Sequence, residues 1–230
     1  MEFQAVLNHC EVVNGIKYTI PQTEEEYLQC YHFYSKYFLP REPMNVALGG
    51  QGYFHNSEIK KRFMRLVSQN ASVMATDVAT GQLVGTRIAG VKEKENNGLT
   101  EPSLKMLQSK NSEKLAIILF TFAKYIKDWD HFHDFQNLDR VYYMYSLTTH
   151  PNWGGRGLAQ QLLAQSLKVA KKVVAMELRL WPQMMRQSTF FRKMGMTVLS
   201  EVPWSEIESG WQKAICQCEI KSSNQFLSQI

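Results

Sequence analysis

The stretch "HPNWGGRGLAQQLL", His150 to Leu163, sets Gly154, Gly155 and Gly157 close together, directly before an apolar run with helical spacing. Glycine inside an element costs about 0.5–1 kcal/mol relative to alanine. Three so close together therefore serve a turn, a close approach of two backbones, or a ligand. A helix start leaves backbone N–H groups without intrahelical partners and carries the positive end of the helix dipole. Bare backbone ahead of it lets anionic oxygens come near, so the chemistry in view is anion binding. Two phosphate-loop patterns do not fit. The chain has no G-x-x-x-x-G-K-[ST], and Gly155-Arg156-Gly157-Leu158-Ala159-Gln160 does not complete G-x-G-x-x-G. His131 and His133 stand beside Asp130 and Asp134, but no second cluster with ligand spacing completes a metal site. They read as a solvated loop, and no metal is expected. Cys10, Cys30, Cys216 and Cys218 show no C-x-x-C spacing and read as buried free thiols, with Cys216 and Cys218 on one face of a strand.

The elements that position the glycines follow from periodicity. Arg140 to His150, "RVYYMYSLTTH", is rich in aromatic and β-branched residues and predicts a strand running straight into the turn. A helix over Leu158–Lys172 follows, and "VVAMELRLW" predicts the next strand. Upstream, Thr23 with Glu26 three residues on forms a capping box. Tyr27, Tyr31, Tyr34 and Phe38 then recur at helical spacing until Pro40 ends that helix. A second helix is expected over Ser57–Ser68, then a hairpin around Ala79-Thr80-Gly81, and further helix from Glu113 to Lys127. "MMRQSTFFRKMG" predicts a helix capped by Gly195, and "MTVLSEVPW" with "WQKAICQCEIK" a final antiparallel pair. With no Pro/Gly/Ser linker and no repeat, this is one α/β domain with a mixed sheet.

Composition narrows the partners. A chain of 230 residues, 44% hydrophobic, holds one full core. Its net charge of +5 is spread without a long run of one sign, which favours a phosphorylated cofactor over nucleic acid. No apolar stretch approaches bilayer length, and the N-terminus lacks a signal-peptide pattern. The expectation is a cytoplasmic monomer that takes neither nucleic acid nor a membrane.

Gly154-Gly155-Arg156-Gly157-Leu158-Ala159, preceded by Leu147-Thr148-Thr149-His150-Pro151, resembles the acetyl-CoA loop R/Q-x-x-G-x-G/A of the GNAT N-acetyltransferases and the L-x-V-x-P strand end before it. Phe38 to Gly49, "FLPREPMNVALG", is similar to the F-x-x-D-E-P-L-x-x-x-L-G segment of the insect arylalkylamine N-acetyltransferases. "TGQLVGTRIAG", "FRKMGM" and "SEVPWSEI" fit the same family in order, so the likeness runs from about Thr23 to Lys221. It implies a single GNAT domain over residues 1–230: α/β, with a mixed, mostly antiparallel central sheet flanked by helices and a splayed central strand at the acetyl-CoA site. It implies acetyl-CoA as co-substrate. The backbone of Leu147 and Thr149 would meet the pantetheine arm, and Gly154, Gly155, Arg156, Gly157, Leu158 and Ala159 would hold the pyrophosphate. Met44 and Ser146 would face the acceptor.

The activity so implied is direct acetyl transfer to a small arylalkylamine. An amine at neutral pH is an ammonium ion and must lose a proton before it attacks a thioester. The resemblance gives that task to Glu42; a lone Glu in a loop is otherwise a surface carboxylate. Several positions depart from the family. Gly154 stands where Arg or Gln is usual, Arg41 where Asp is usual, and Gln183 and Gln187 replace two serines. Phe191 replaces a tyrosine that can protonate the leaving thiolate. These departures keep open an acceptor of another kind (agmatine, a polyamine or a protein amine) and a protein that holds acetyl-CoA without turnover. Tyr142, Tyr143, Tyr145, Phe190 and Phe191 could line an aromatic pocket, but core is the expected place for most of them.

Overall fold

The structure is a computed structural model, and it describes residues 9–42, 45–46, 57–94, 140–173 and 178–180. Its elements are β1 (Cys10–Val13), β2 (Ile16–Thr19), α1 (Glu24–Tyr37), α2 (Ser57–Val67), β3 (Val73–Asp77), β4 (Leu83–Glu93), β5 (Arg140–Thr149), α3 (Leu158–Val173) and β6 (Leu178–Leu180). Short 3-10 turns at Leu39–Arg41 and Pro151–Trp153 follow α1 and β5. The strands form one sheet in the order β1-β2-β3-β4-β5-β6. Neighbours are antiparallel as far as β5, and β6 joins β5 in parallel. The expected mixed, mostly antiparallel α/β sheet is what forms.

Local chemistry sets each joint. The β1–β2 hairpin turns on Asn14 and Gly15, both with positive φ (51° and 77°), the backbone that suits the twist of paired strands. The Asn-Gly pair is a strong hairpin signal that the periodicity reading passed over. At the β3–β4 turn the Asp77 carboxylate accepts from the Thr80 hydroxyl at 2.6 Å and from the Ala79 N–H at 3.4 Å. Helix α1 opens on the expected capping box. The Thr23 hydroxyl accepts from the Glu26 N–H at 3.2 Å, and the Glu26 carboxylate accepts from the Thr23 N–H at 3.1 Å. The helix itself stops at Tyr37, and Pro40 lies inside the following 3-10 turn.

Two apolar layers sandwich the sheet. On one face α1 and α2 bring Tyr31, Tyr34, Phe63, Leu66 and Val67 onto Met74, Ile88 and Tyr143. On the other, α3 lays Leu158, Leu162, Leu163 and Val169 over Val73, Val84, Ala89, Tyr142, Met144 and Leu147. Tyr142 and Tyr143 are thus core, as expected. The Tyr142 hydroxyl donates to Ala71 O at 2.6 Å and pairs with Ser166 Oγ at 2.8 Å.

Two boundaries differ from the sequence reading. Val173 ends α3 instead of opening a strand, and the described part of β6 is Leu178–Leu180. Pairing of β5 with β6 is described from Tyr142↔Leu178 to Met144↔Leu180. The expected splay concerns positions past Leu180, outside the described residues. So do the predicted helices at Glu113–Lys127 and ending at Gly195, the final strand pair, and Cys216 and Cys218.

Candidate active site

Strand β5 delivers the chain to the glycine turn. His150 leaves the strand, and its Nδ1 accepts from the Asn152 N–H at 3.2 Å. The Trp153 and Gly154 N–H groups close the 3-10 turn on His150 O and Pro151 O, at 2.9 and 3.2 Å. Gly155 and Gly157 then adopt φ of +73° and +74°, the left-handed region that side chains resist. Among the described residues, a Cβ built at either would meet nothing within 4 Å, so bare backbone faces open space there. Between them the Arg156 guanidinium sits 5.0 Å from the Trp153 ring centroid. The first helical bond of α3 runs from the Gln161 N–H to Gly157 O at 3.0 Å. Its first turn holds no acidic residue that would oppose an anion.

The predicted cofactor residues fall into place around this turn. Gly154, Gly155, Arg156 and Gly157 are exposed, Ala159 is half-buried, and Leu158 buries its side chain under the helix. Leu147 is buried on the α3 face, and half-buried Thr149 pairs with Gly85. Gly85 is what lets the start of α3 rest on the sheet. A Cβ there would lie 2.7 Å from Leu162 Cδ1 and 3.3 Å from Thr148 O.

Glu42 reaches the same end of the sheet from the other face. It follows the Leu39–Arg41 turn, with its own N–H bonded to Phe38 O at 3.1 Å. It is 3% exposed, which removes the surface-carboxylate reading. Its Oε2 accepts from the Asn45 N–H at 2.7 Å, and the Asn45 amide donates to Leu39 O at 3.0 Å, clamping the loop. The neighbouring Arg41 is exposed. Tyr34 and Tyr145 pair their hydroxyls at 3.2 Å. Burial, then the Tyr145 neighbour, pushes the Tyr34 phenol well above its usual value, and the Glu42 charge adds to this. Burial also raises Tyr145, with Glu42 again contributing. Both phenols stay protonated at neutral pH. The Tyr37 ring packs on His150 with centroids 4.8 Å apart, so the end of α1 touches the residue that opens the glycine turn.

A bulge in β5 arranges the side chains between these points. Ala89 pairs with Met144 and Ile88 with Ser146, leaving Tyr145 as the extra residue. The bulge reverses the alternation. Tyr142 and Met144 face α3 before it, and Leu147 faces α3 after it. Ser146 and Thr148 therefore turn toward the face of α1 and Glu42. Thr86 joins them there, two residues before Ile88 and directly opposite Thr148. Ser146 and Thr86 are fully buried and Thr148 is 4% exposed.

On the α3 face, Arg87 lies between Gly85 and Ala89, opposite Val73 and Leu147. It is wholly buried, and no guanidinium nitrogen has a hydrogen-bond partner among the described residues. Burial pulls its pKa down to about 10, so it remains a cation at neutral pH. Sequence reading missed Thr86, Thr148 and Arg87; a charge inside the apolar run "LVGTRIAGV" was the one available signal. Met44, Gln183, Gln187, Phe190, Phe191, His131 and His133 lie outside the described residues.

No protein-family model matches this chain, and no curated protein matches it. Solved structures do. The chain is similar to a mosquito arylalkylamine N-acetyltransferase like 5b, at 20% identity and a TM-score of 0.65, over 80% of this chain and 84% of that one. It is similar to the Drosophila melanogaster polyamine N-acetyltransferase, at 14% identity and a TM-score of 0.64 over the same shares. It also matches arylalkylamine N-acetyltransferase 2 from Aedes aegypti, at 20% identity and a TM-score of 0.58, over 69% and 71%. The fold is that of the GNAT N-acetyltransferases. No helix among the described residues is long and apolar enough to cross a membrane.

Proposed function

We propose that this chain is a single-domain, acetyl-CoA-dependent N-acetyltransferase, a cytoplasmic monomer that acetylates a small arylalkylamine by direct transfer. The observation that carries the reading is the meeting of two features at one end of the sheet. One is a buried carboxylate, Glu42, whose charge acts on Tyr145 of the central strand. The other is a helix start opened by two left-handed glycines.

The residues fit the co-substrate. The N–H groups from Gly155 to Ala159 present a positive dipole end to a pyrophosphate, with no side chain at Gly155 or Gly157 to obstruct it. The backbone of Leu147 and Thr149 would carry the pantetheine arm toward the bulge. Acetyl-CoA supplies the activated thioester. Glu42 takes a proton from the bound ammonium, directly or through a water. The freed nitrogen pair then attacks the carbonyl carbon, the C–S bond breaks, and the nitrogen's second proton passes to the departing thiolate, leaving a neutral amide and the CoA thiol. Met44 and Ser146 are the residues proposed to bind the acceptor, and the reaction as proposed uses no metal.

A second acceptor class comes from one of the structural neighbours, an enzyme that catalyses the formation of N-acetylagmatine. A panel of dopamine, serotonin, tryptamine, histamine and agmatine with acetyl-CoA, read by release of free CoA thiol, separates the two. Acetyl-CoA binding without thiol release on any amine would instead mark a non-catalytic binder.

Glu42→Gln tests the base. General-base assistance is worth roughly 10²–10⁴-fold, and kcat is expected to fall within that range while acetyl-CoA affinity holds. The deficit should narrow as pH rises and the amine deprotonates without help. Parallel pH profiles for the two proteins would remove Glu42 from the mechanism.

A further inference from the structure

We infer that Thr86 and Thr148, together with Ser146, form a hydroxyl seat that hydrogen-bonds the acceptor's amino group beside Glu42; the inference rests on the acetyltransferase reading above. Three observations carry it. The hydroxyl oxygens of Thr86, Ser146 and Thr148 are all buried and, among the described residues, all lack a hydrogen-bond partner. Buried hydroxyls are nearly always paired, and an unpaired one is costly. Three of them together call for an explanation in terms of what they are meant to bind.

Register gathers them. Thr86 is directly opposite Thr148 across the β4–β5 ladder, and Ser146 is paired with Ile88, two residues along β4. On one face of an antiparallel pair such positions are close enough for their side chains to share a ligand. The bulge at Tyr145 is what turns Ser146 and Thr148 to this face; without it they would point toward α3.

Position completes the case. Along β5 the seat lies between Tyr145, which feels the Glu42 charge and bonds Tyr34, and His150, which packs on Tyr37. It therefore lies on the α1 face of the sheet, on the approach to the glycine turn. Hydroxyls both donate and accept. They can accept from an ammonium, and they continue to hold the nitrogen once it has given its proton to Glu42. A second carboxylate would bind the ammonium more tightly but would oppose that proton loss. Thr86 and Thr148 are thus positioning residues for the amine.

Valine replaces threonine with little change of shape, so Thr86→Val and Thr148→Val remove only the hydroxyls. Tryptamine and agmatine binding would be measured by calorimetry on the CoA-loaded protein, where no turnover intervenes. Each variant is expected to weaken binding of the accepted amine about three- to tenfold, as loss of one net hydrogen bond does. Acetyl-CoA affinity should be unchanged, thermal stability equal or higher, and Thr86→Ser should restore amine binding. Wild-type amine affinity in both valine variants would overturn the seat and leave acetyl transfer standing. A protein that binds acetyl-CoA but releases no thiol with any amine would overturn the acetyltransferase reading itself. If the panel shows turnover while valine variants lose acetyl-CoA affinity instead of amine affinity, the hydroxyls serve the fold of the cofactor site and the seat is wrong.

Discussion

Strand β4 carries two buried cations, Arg87 and Lys92, and burial lowers the pKa of both. Arg87 on the α3 face has no hydrogen-bond partner among the described residues and is held in an apolar layer. Lys92, 4% exposed, rests its ammonium 4.7 Å from the Tyr143 ring centroid, which compensates part of its desolvation. Burial, reinforced by the Arg62 charge, still pulls Lys92 from its usual value near 10.5 down to about 8. The folded chain therefore holds fewer protons than the unfolded chain between those two values. Its stability should rise with pH across that window, by on the order of 3 kcal/mol at most, and be insensitive to this group below it. Urea midpoints of the wild type and Lys92→Met, compared at pH 7 and pH 10, check this. The methionine variant should lose most of its relative advantage at pH 10. A constant difference would show that Lys92 titrates normally.

At the scale of elements, the helix start of α3 depends on two glycines that no other residue replaces without strain. A β-branched side chain at φ +74° is a steric outlier, costing about 1–3 kcal/mol. Gly157→Val should thus lower stability and also abolish acetyl-CoA binding, because its methyl groups enter the space in front of the turn. Gly81 is a matched control: φ is +69°, space around it is equally open, and it lies on the β3–β4 turn. Gly81→Val should show a similar loss of stability and normal acetyl-CoA affinity by calorimetry. Equal affinity in both variants would rule out the cradle.

At the scale of the whole molecule, charge acts on encounter. The chain carries a net +5, and Arg41 adds an exposed cation one residue from the proposed base. A cation there repels ammonium substrates over a distance that salt shortens, with a Debye length of about 10 Å at 0.1 M. Arg41→Asp should lower the apparent KM for cationic amines, leave kcat nearly unchanged, and lose its benefit as salt is raised. Initial rates with one amine at low and high ionic strength decide it. No change at low salt would place the Arg41 charge away from the acceptor's approach.

Much of the frame was legible along the chain because its signals are local. The Thr23–Glu26 box, the aromatic and β-branched run from Arg140 and the glycine turn each lie within a few residues. Backbone sterics and hydrogen bonds over that range are set by residue type alone. The Asn14-Gly15 hairpin was equally local and simply unread. What the tertiary structure decided is whatever depends on pairing between distant segments. That Glu42 is buried is decided by tertiary packing and not by its place in a loop. That Thr86 meets Thr148, and that Ser146 lies on the α1 face and not the α3 face, follows from a one-residue bulge in a ladder joining β4 to β5. A single-residue shift of register moves every later side chain to the opposite face of a sheet, and only the assembled ladder fixes where that shift falls.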